Sequence, residues 1–152
     1  NSSVVVSGGS VVPGFSPGQL VFNDDLILDG GSLNLEAFGP NDTDLIKVGG
    51  DLRLEAGTIN LLLGFNPENP LDLFDIDGMV KVTSGLDGLN ISAIAGTSVP
   101  AGTPVEVRLN DDRSLNGSVQ AVPAPSTSLL FITALVSVAA VRAPRLCRTM
   151  FG

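Results

Sequence analysis

A short parallel β-helix, a β-solenoid of about three coils followed by a C-terminal hydrophobic helix, is the all-β fold this sequence predicts. Three observations carry that expectation. The 152 residues include 18 Gly and 10 Pro, and with abundant Asn and Asp they imply many turns. A 43% hydrophobic content, dominated by Val, Leu and Ile, leaves ample apolar surface to bury. The third observation is an internal repeat in which apolar residues alternate with polar ones, the period of strands with one buried face.

The repeat sets the elements in order. "DLILDGGSLNL" at 25–35 matches "DLRLEAGTINL" at 51–61, a spacing of 26. A weaker copy lies 28 residues further on, where "DLIKVGGDLRLEAG" at 44–57 is followed by "DLFDIDGMVKVTSG" at 72–85. Within the copies, Leu20, Phe22, Leu26 and Leu28 share one face, as do Ile46, Val48, Leu52 and Leu54, and then Phe74, Ile76, Val80 and Val82. A bend follows each copy, at 29–31 ("DGG"), 55–57 ("EAG") and 83–85 ("TSG"), where glycine supplies the positive φ a corner needs. A second short strand comes next, marked by Leu33 and Leu35, by Ile59, Leu61 and Leu63, and by Leu89 and Ile91.

Self-similarity at this period stacks like residues on like in successive coils. The predicted buried columns are Leu26/Leu52/Val80 and Leu28/Leu54/Val82. The alternative reads each bend as a hairpin and folds the same strands into an antiparallel β-sandwich. Residues 1–114 are assigned to the solenoid, 115–125 to a linker, and 126–152 to the hydrophobic helix and basic tail. Three coils is near the minimum for a stable solenoid, so a piece of a longer one fits too.

"GGSVVPGFSPGQLVFNDDLIL" at 8–28 resembles the "G-T-x-x-P-G-N-S-P-G-T-L-x-I" segment and following "G-D-L-x-L" strand of autotransporter-type β-strand repeats in bacterial surface proteins. Phe15 stands where that family has Asn, and Gln19 where it has Thr. The resemblance covers roughly residues 8–83. It implies an extracellular β-solenoid of the kind that serves as passenger, adhesin or matrix component.

Charge and chemistry narrow the function. All 16 acidic residues lie at or before Asp112, accompanied by only Lys47, Arg53, Lys81, Arg108 and Arg113. An acidic body without a basic patch argues against a nucleic-acid partner. The chain has no His, which excludes Ser-His-Asp and Cys-His nucleophilic centres. No phosphate-binding Gly motif opens a helix. The runs "NDTD" (41–44), "DLFDIDG" (72–78) and "LNDDRS" (109–114) are oxygen-rich, yet none has the spacing of a known calcium loop, so they read as turn formers and solvated surface. Neither a catalytic residue, a metal ligand nor a cofactor site is expected. Seven Phe without Trp or Tyr leave few aromatic platforms for a sugar groove. The sequons at Asn1, Asn41, Asn90 and Asn116 matter only in a eukaryotic secretory pathway.

The C-terminal region differs from the body. Residues 126–141 carry no charge, and Arg142, Arg145 and Arg148 follow on one side only. Sixteen residues is just short of the roughly 17–25 that span a bilayer. Pro125 suits the entry to a helix and Pro144 the exit. The positive-inside rule then places the arginines in the cytoplasm and the acidic body outside. The single cysteine, Cys147, lies in this tail, so no disulfide staples the body.

This arrangement resembles the PEP-CTERM sorting signal of Gram-negative bacteria: a "V-P-E-P-S" motif, a hydrophobic helix and a terminal basic cluster. Val122, Pro123, Pro125 and Ser126 match the motif, and Ala124 stands where Glu is usual. The resemblance implies recognition by an exosortase, a membrane transpeptidase-like protease of organisms that make exopolysaccharide. The expected function is a non-catalytic exported protein, structural or adhesive, transiently anchored and then sorted to the cell surface or the extracellular matrix of a biofilm. A carbohydrate-binding or carbohydrate-processing module displayed by the same route is the alternative. An aligned set of Asp or Glu with a neighbouring aromatic in one groove would favour it.

Overall fold

Why the alternating repeats close into coils is seen in the computed structural model, which describes residues 2–14, 17–110 and 112–121. An incomplete first coil supplies β1 (Val4–Val6) and β2 (Ser10–Val11). The next coil contains β3 (Gln19–Phe22), β4 (Leu26–Gly39) and β5 (Asp42–Thr43). The third contributes β6 (Leu45–Val48) and β7 (Leu52–Leu63), and the fourth β8 (Leu71–Asp72), β9 (Phe74–Ile76) and β10 (Val80–Ala93). The described chain ends with β11 (Pro104–Asn110) and β12 (Arg113–Ser118). No helix occurs among the described residues.

Successive coils pair in parallel. One sheet runs β1-β4-β7-β10, a second β3-β6-β9, and a third β12-β11-β8. The parallel ladders make a β-solenoid of about three full turns and dismiss the antiparallel sandwich, in which each coil's strands would pair with one another. The register places Leu26, Leu52 and Val80 in one column and Leu28, Leu54 and Val82 in the next, with Val4 and Val6 extending them by a coil. Leu33/Ile59/Leu89 and Leu35/Leu61/Ile91 form equivalent columns in the second half of the coil. Leu26, Leu28, Leu52, Leu54, Ile59 and Leu63 are wholly excluded from solvent. A Leu or Ile of this kind contributes about 1.5–3 kcal/mol by leaving water, so the stacked columns are the main source of stability.

The bends are kinks inside long strands rather than loops between strands. Gly30 and Gly57 have φ of 97° and 106°, as expected for the first two bends. The third departs from the expectation: Gly85 lies outside the positive-φ region, and Gly88 adopts φ 119° instead. Two register shifts between Val82 and Gly88 cause this, so Gly57 faces Leu86 and Asn60 faces Asn90. An extra residue at each bulge bends the strand and delays the turn. Alternation therefore resumes on the correct face, and Leu89 and Ile91 return to their columns.

The last coil is closed by an antiparallel hairpin. β11 pairs with β12, and β11 also pairs in parallel with β8. Val119 bridges to Ile91, and the Gln120 N–H donates to the Ile91 carbonyl at 2.8 Å. β12 thus runs across the boundary expected at position 114, and the part of the expected linker up to Gln120 is hydrogen-bonded to the last coil. Val105, Val107, Leu109 and Val119 add to the core here.

Candidate functional site

Most polar residues of the repeat are engaged by the fold itself. Asp25 Oδ1 accepts the Asp51 N–H at 2.9 Å, and Asp51 Oδ1 accepts the Met79 N–H at the same distance one coil further on. Asn60 Nδ2 donates to Asn34 Oδ1 at 2.7 Å, and Asn90 Nδ2 reaches Asn60 Oδ1 at 3.5 Å. These side chains form ladders along the solenoid axis because the register brings identical residues side by side. Asp44 is the single buried charged side chain among the described residues. Its carboxylate accepts the Gly18 N–H at 2.7 Å and the Glu36 N–H at 2.9 Å, tying two separate segments together.

The acidic runs disperse in the same way. In 41–44, Asp42 and Thr43 fold back onto β4 while Asp44 turns inward. In 72–78, Asp72 lies 3.4 Å from Arg108 and Asp75 lies 2.9 Å from Lys47. The hydrogen bond and charge of Asp75, in that order, raise the Lys47 pKa above its ordinary value. Among the described residues, no group of three or more His, Cys, Asp or Glu comes together in a way that could hold a metal ion.

One loop behaves differently. From Ala37 to Ile46 the chain advances nine residues, whereas between their register partners, Leu63 and Phe74, it advances eleven. The extra length falls in "GFNPENPLD" at 64–72, and with the corner of the preceding coil it encloses a hollow of about 500 Å³. Phe65 is partly buried against the core and lends its ring to the wall. Pro40, Pro67 and Pro70 add rigid apolar rings, while Thr43 contributes a hydroxyl. Asn66, Glu68 and Asn69 complete the rim. All three are exposed, and among the described residues their side chains have no hydrogen-bond or ion-pair partner. Residues 67–70 also line an adjoining hollow of about 270 Å³ against Pro104, Glu106 and Asn116.

A hollow of this size falls within the usual range of small-ligand pockets, about 300–1,000 Å³. It joins an aromatic ring to uncommitted amides and a carboxylate. No chain comparison supplies a precedent for it: neither a family model, a curated protein nor a solved structure matches this sequence. Sequence reasoning missed the site because it is assembled from the corners of two coils. The one signal available was the change of repeat spacing from 26 to 28, which marks an insertion, together with its Pro- and Asn-rich composition.

The residues singled out in the sequence as a sorting signal are a separate matter. Val122, Pro123, Ala124, Pro125 and Ser126 lie outside the described residues, as do the uncharged stretch 126–141 and Arg142, Arg145 and Arg148. Among the described residues, no helix is long and apolar enough to cross a membrane.

Proposed function

We propose that this chain is a non-catalytic exported protein of the cell surface or extracellular matrix, with a structural or adhesive role. The observation that carries the reading is the division of labour along the chain. The repeat builds a solenoid whose recurring Asp and Asn residues bind one coil to the next. Coils bound to one another this way stack without a disulfide, since the only cysteine lies at position 147. The acidic surface keeps it soluble.

The C-terminal sequence supports export. Val122, Pro123, Ala124, Pro125 and Ser126 serve as the sorting motif, residues 126–141 hold the chain in the membrane, and Arg142, Arg145 and Arg148 stay cytoplasmic. A sixteen-residue helix rises about 24 Å against a hydrocarbon core of about 30 Å, which makes a weak permanent anchor. That weakness suits a segment removed by an exosortase-like enzyme in a Gram-negative bacterium, leaving the body at the surface or among exopolysaccharide. The test is the intact mass of the extracellular form in its native host. A mass lacking the residues after the motif supports sorting; one that still includes residues 129–152 overturns it.

A further inference from the structure

We infer that the hollow formed by Pro40, Thr43 and the 65–72 loop binds a neutral sugar unit of a glycan chain. This deepens the adhesive reading, on which its biological role rests, by naming the ligand class. The first argument is the contrast between two sets of polar residues. Asp25, Asp51, Asn34, Asn60 and Asp44 are engaged in hydrogen bonds between segments. Asn66, Glu68 and Asn69 have no side-chain partner among the described residues and gather on an inserted loop at the rim of a hollow. Unengaged polar groups converging on a concave site are a mark of ligand binding rather than of folding.

The second argument is chemical. A sugar ring presents an apolar C–H face and a fringe of hydroxyls that both donate and accept. The Phe65 ring and the rings of Pro40, Pro67 and Pro70 match the face. The amides of Asn66 and Asn69 donate and accept, the Thr43 hydroxyl does both, and the Glu68 carboxylate accepts. An anionic ligand is repelled by the unpaired carboxylate of Glu68. A basic peptide finds less: Asp72 already lies 3.4 Å from Arg108, which leaves Glu68 as the uncommitted carboxylate of the rim. The mixture of amide, hydroxyl and one free carboxylate fits neutral hydroxyls better than a row of cations.

The experiment titrates the full chain with short neutral oligosaccharides of glucose, galactose, mannose and xylose, and with an oligolysine peptide, read by calorimetry and ligand-observed NMR. At least one sugar is expected to bind. Phe65→Ala should weaken binding about tenfold, the value of a well-placed aromatic contact. Because Phe65 touches the core, the exposed changes Glu68→Gln and Asn66→Ala with Asn69→Ala serve as variants that leave the fold alone. They should weaken binding by a similar factor, while Lys81→Ala on β10 changes nothing. Failure of every sugar to bind, binding indifferent to the loop variants, or preference for oligolysine overturns the inference. A chain processed at its tail but blind to sugars overturns only this inference, and one that binds sugar but keeps its tail overturns only the sorting proposal.

Discussion

Asp25 and Asp51 occupy the same corner of successive coils, and Asp25 Oδ1 holds the Asp51 N–H at 2.9 Å. Asp51 repeats the contact to Met79, where the series stops because Met carries no carboxylate. Asp25 and Asp51, each at the start of a repeat copy, are therefore clamps on the following coil. Asp25→Ala frees one backbone N–H at a partly buried corner and should cost about 1–2 kcal/mol, the range of a hydrogen bond to a charged acceptor that water partly replaces. Chemical denaturation of the two proteins measures it, and Asp25→Asn should recover part of the loss.

Leu54 sits between Leu28 and Val82 in its column and is fully buried. Leu54→Ala leaves a cavity that both neighbouring coils border, and a parallel ladder gives the backbone little freedom to collapse into it. The expected loss is about 2–5 kcal/mol. A loss below about 1 kcal/mol in the same denaturation assay would contradict the central place given to this column.

How much of this was legible follows from particular residues. The columns through Leu26, Leu52 and Val80 were readable because alternation and a fixed spacing specify register together. The bend at 83–88 was not, since bulges insert residues without changing the apolar pattern that follows. Gly85 accordingly looks like the corner glycine while Gly88 has the positive φ. Asp44 and Asp72 align in the repeat, yet one is buried and the other exposed, because only Asp44 meets the N–H groups of Gly18 and Glu36. The hollow beside Phe65 was hidden for a related reason: its walls come from two coils, and repeat analysis compares coils without showing what lies between them.

The glycine at the second bend should be far less replaceable than those in open turns. Gly57 combines φ 106° with an approach in which an added Cβ would run into the Gly31 carbonyl oxygen. Gly96 has φ 92° with nothing near its missing side chain. Gly96→Ala should therefore cost only backbone strain, about 1 kcal/mol. Gly57→Ala adds a collision with backbone and should cost about 3 kcal/mol or more, seen as a larger fall in the denaturation midpoint.

The Lys47–Asp75 pair gives a pH signature of definite sign. Asp75 raises the Lys47 pKa above 10.5, through a hydrogen bond first and charge second. A raised folded-state pKa adds stability that is fully present below the unfolded value and is lost as pH rises through the folded one. Stability should thus decline in the alkaline range above about pH 10.5, and Asp75→Asn should remove most of that decline, the charge of Asp77 supplying the rest. Both side chains are open to water, so the effect is small and shrinks with added salt. Denaturation midpoints between pH 9 and about 12, with and without salt, test the sign.

Asp44 offers the sharpest separation between charge and shape. Its carboxylate is fully buried and accepts the N–H of Gly18, before β3, and of Glu36, within β4. It therefore joins the start of one coil to the far side of the same coil. Asp44→Ala leaves both N–H groups without this acceptor in a site closed to water, and each such loss costs about 1–3 kcal/mol. Asp44→Asn keeps the shape and one acceptor oxygen but points an amide at a second N–H donor. It should lie between the native chain and Asp44→Ala, and amide hydrogen exchange should accelerate selectively at Gly18 or Glu36. Equal destabilisation by Asn and Ala would show that the charge matters rather than the acceptor count. Unchanged exchange at both amides in Asp44→Ala would show that the two bonds do not hold the coil closed.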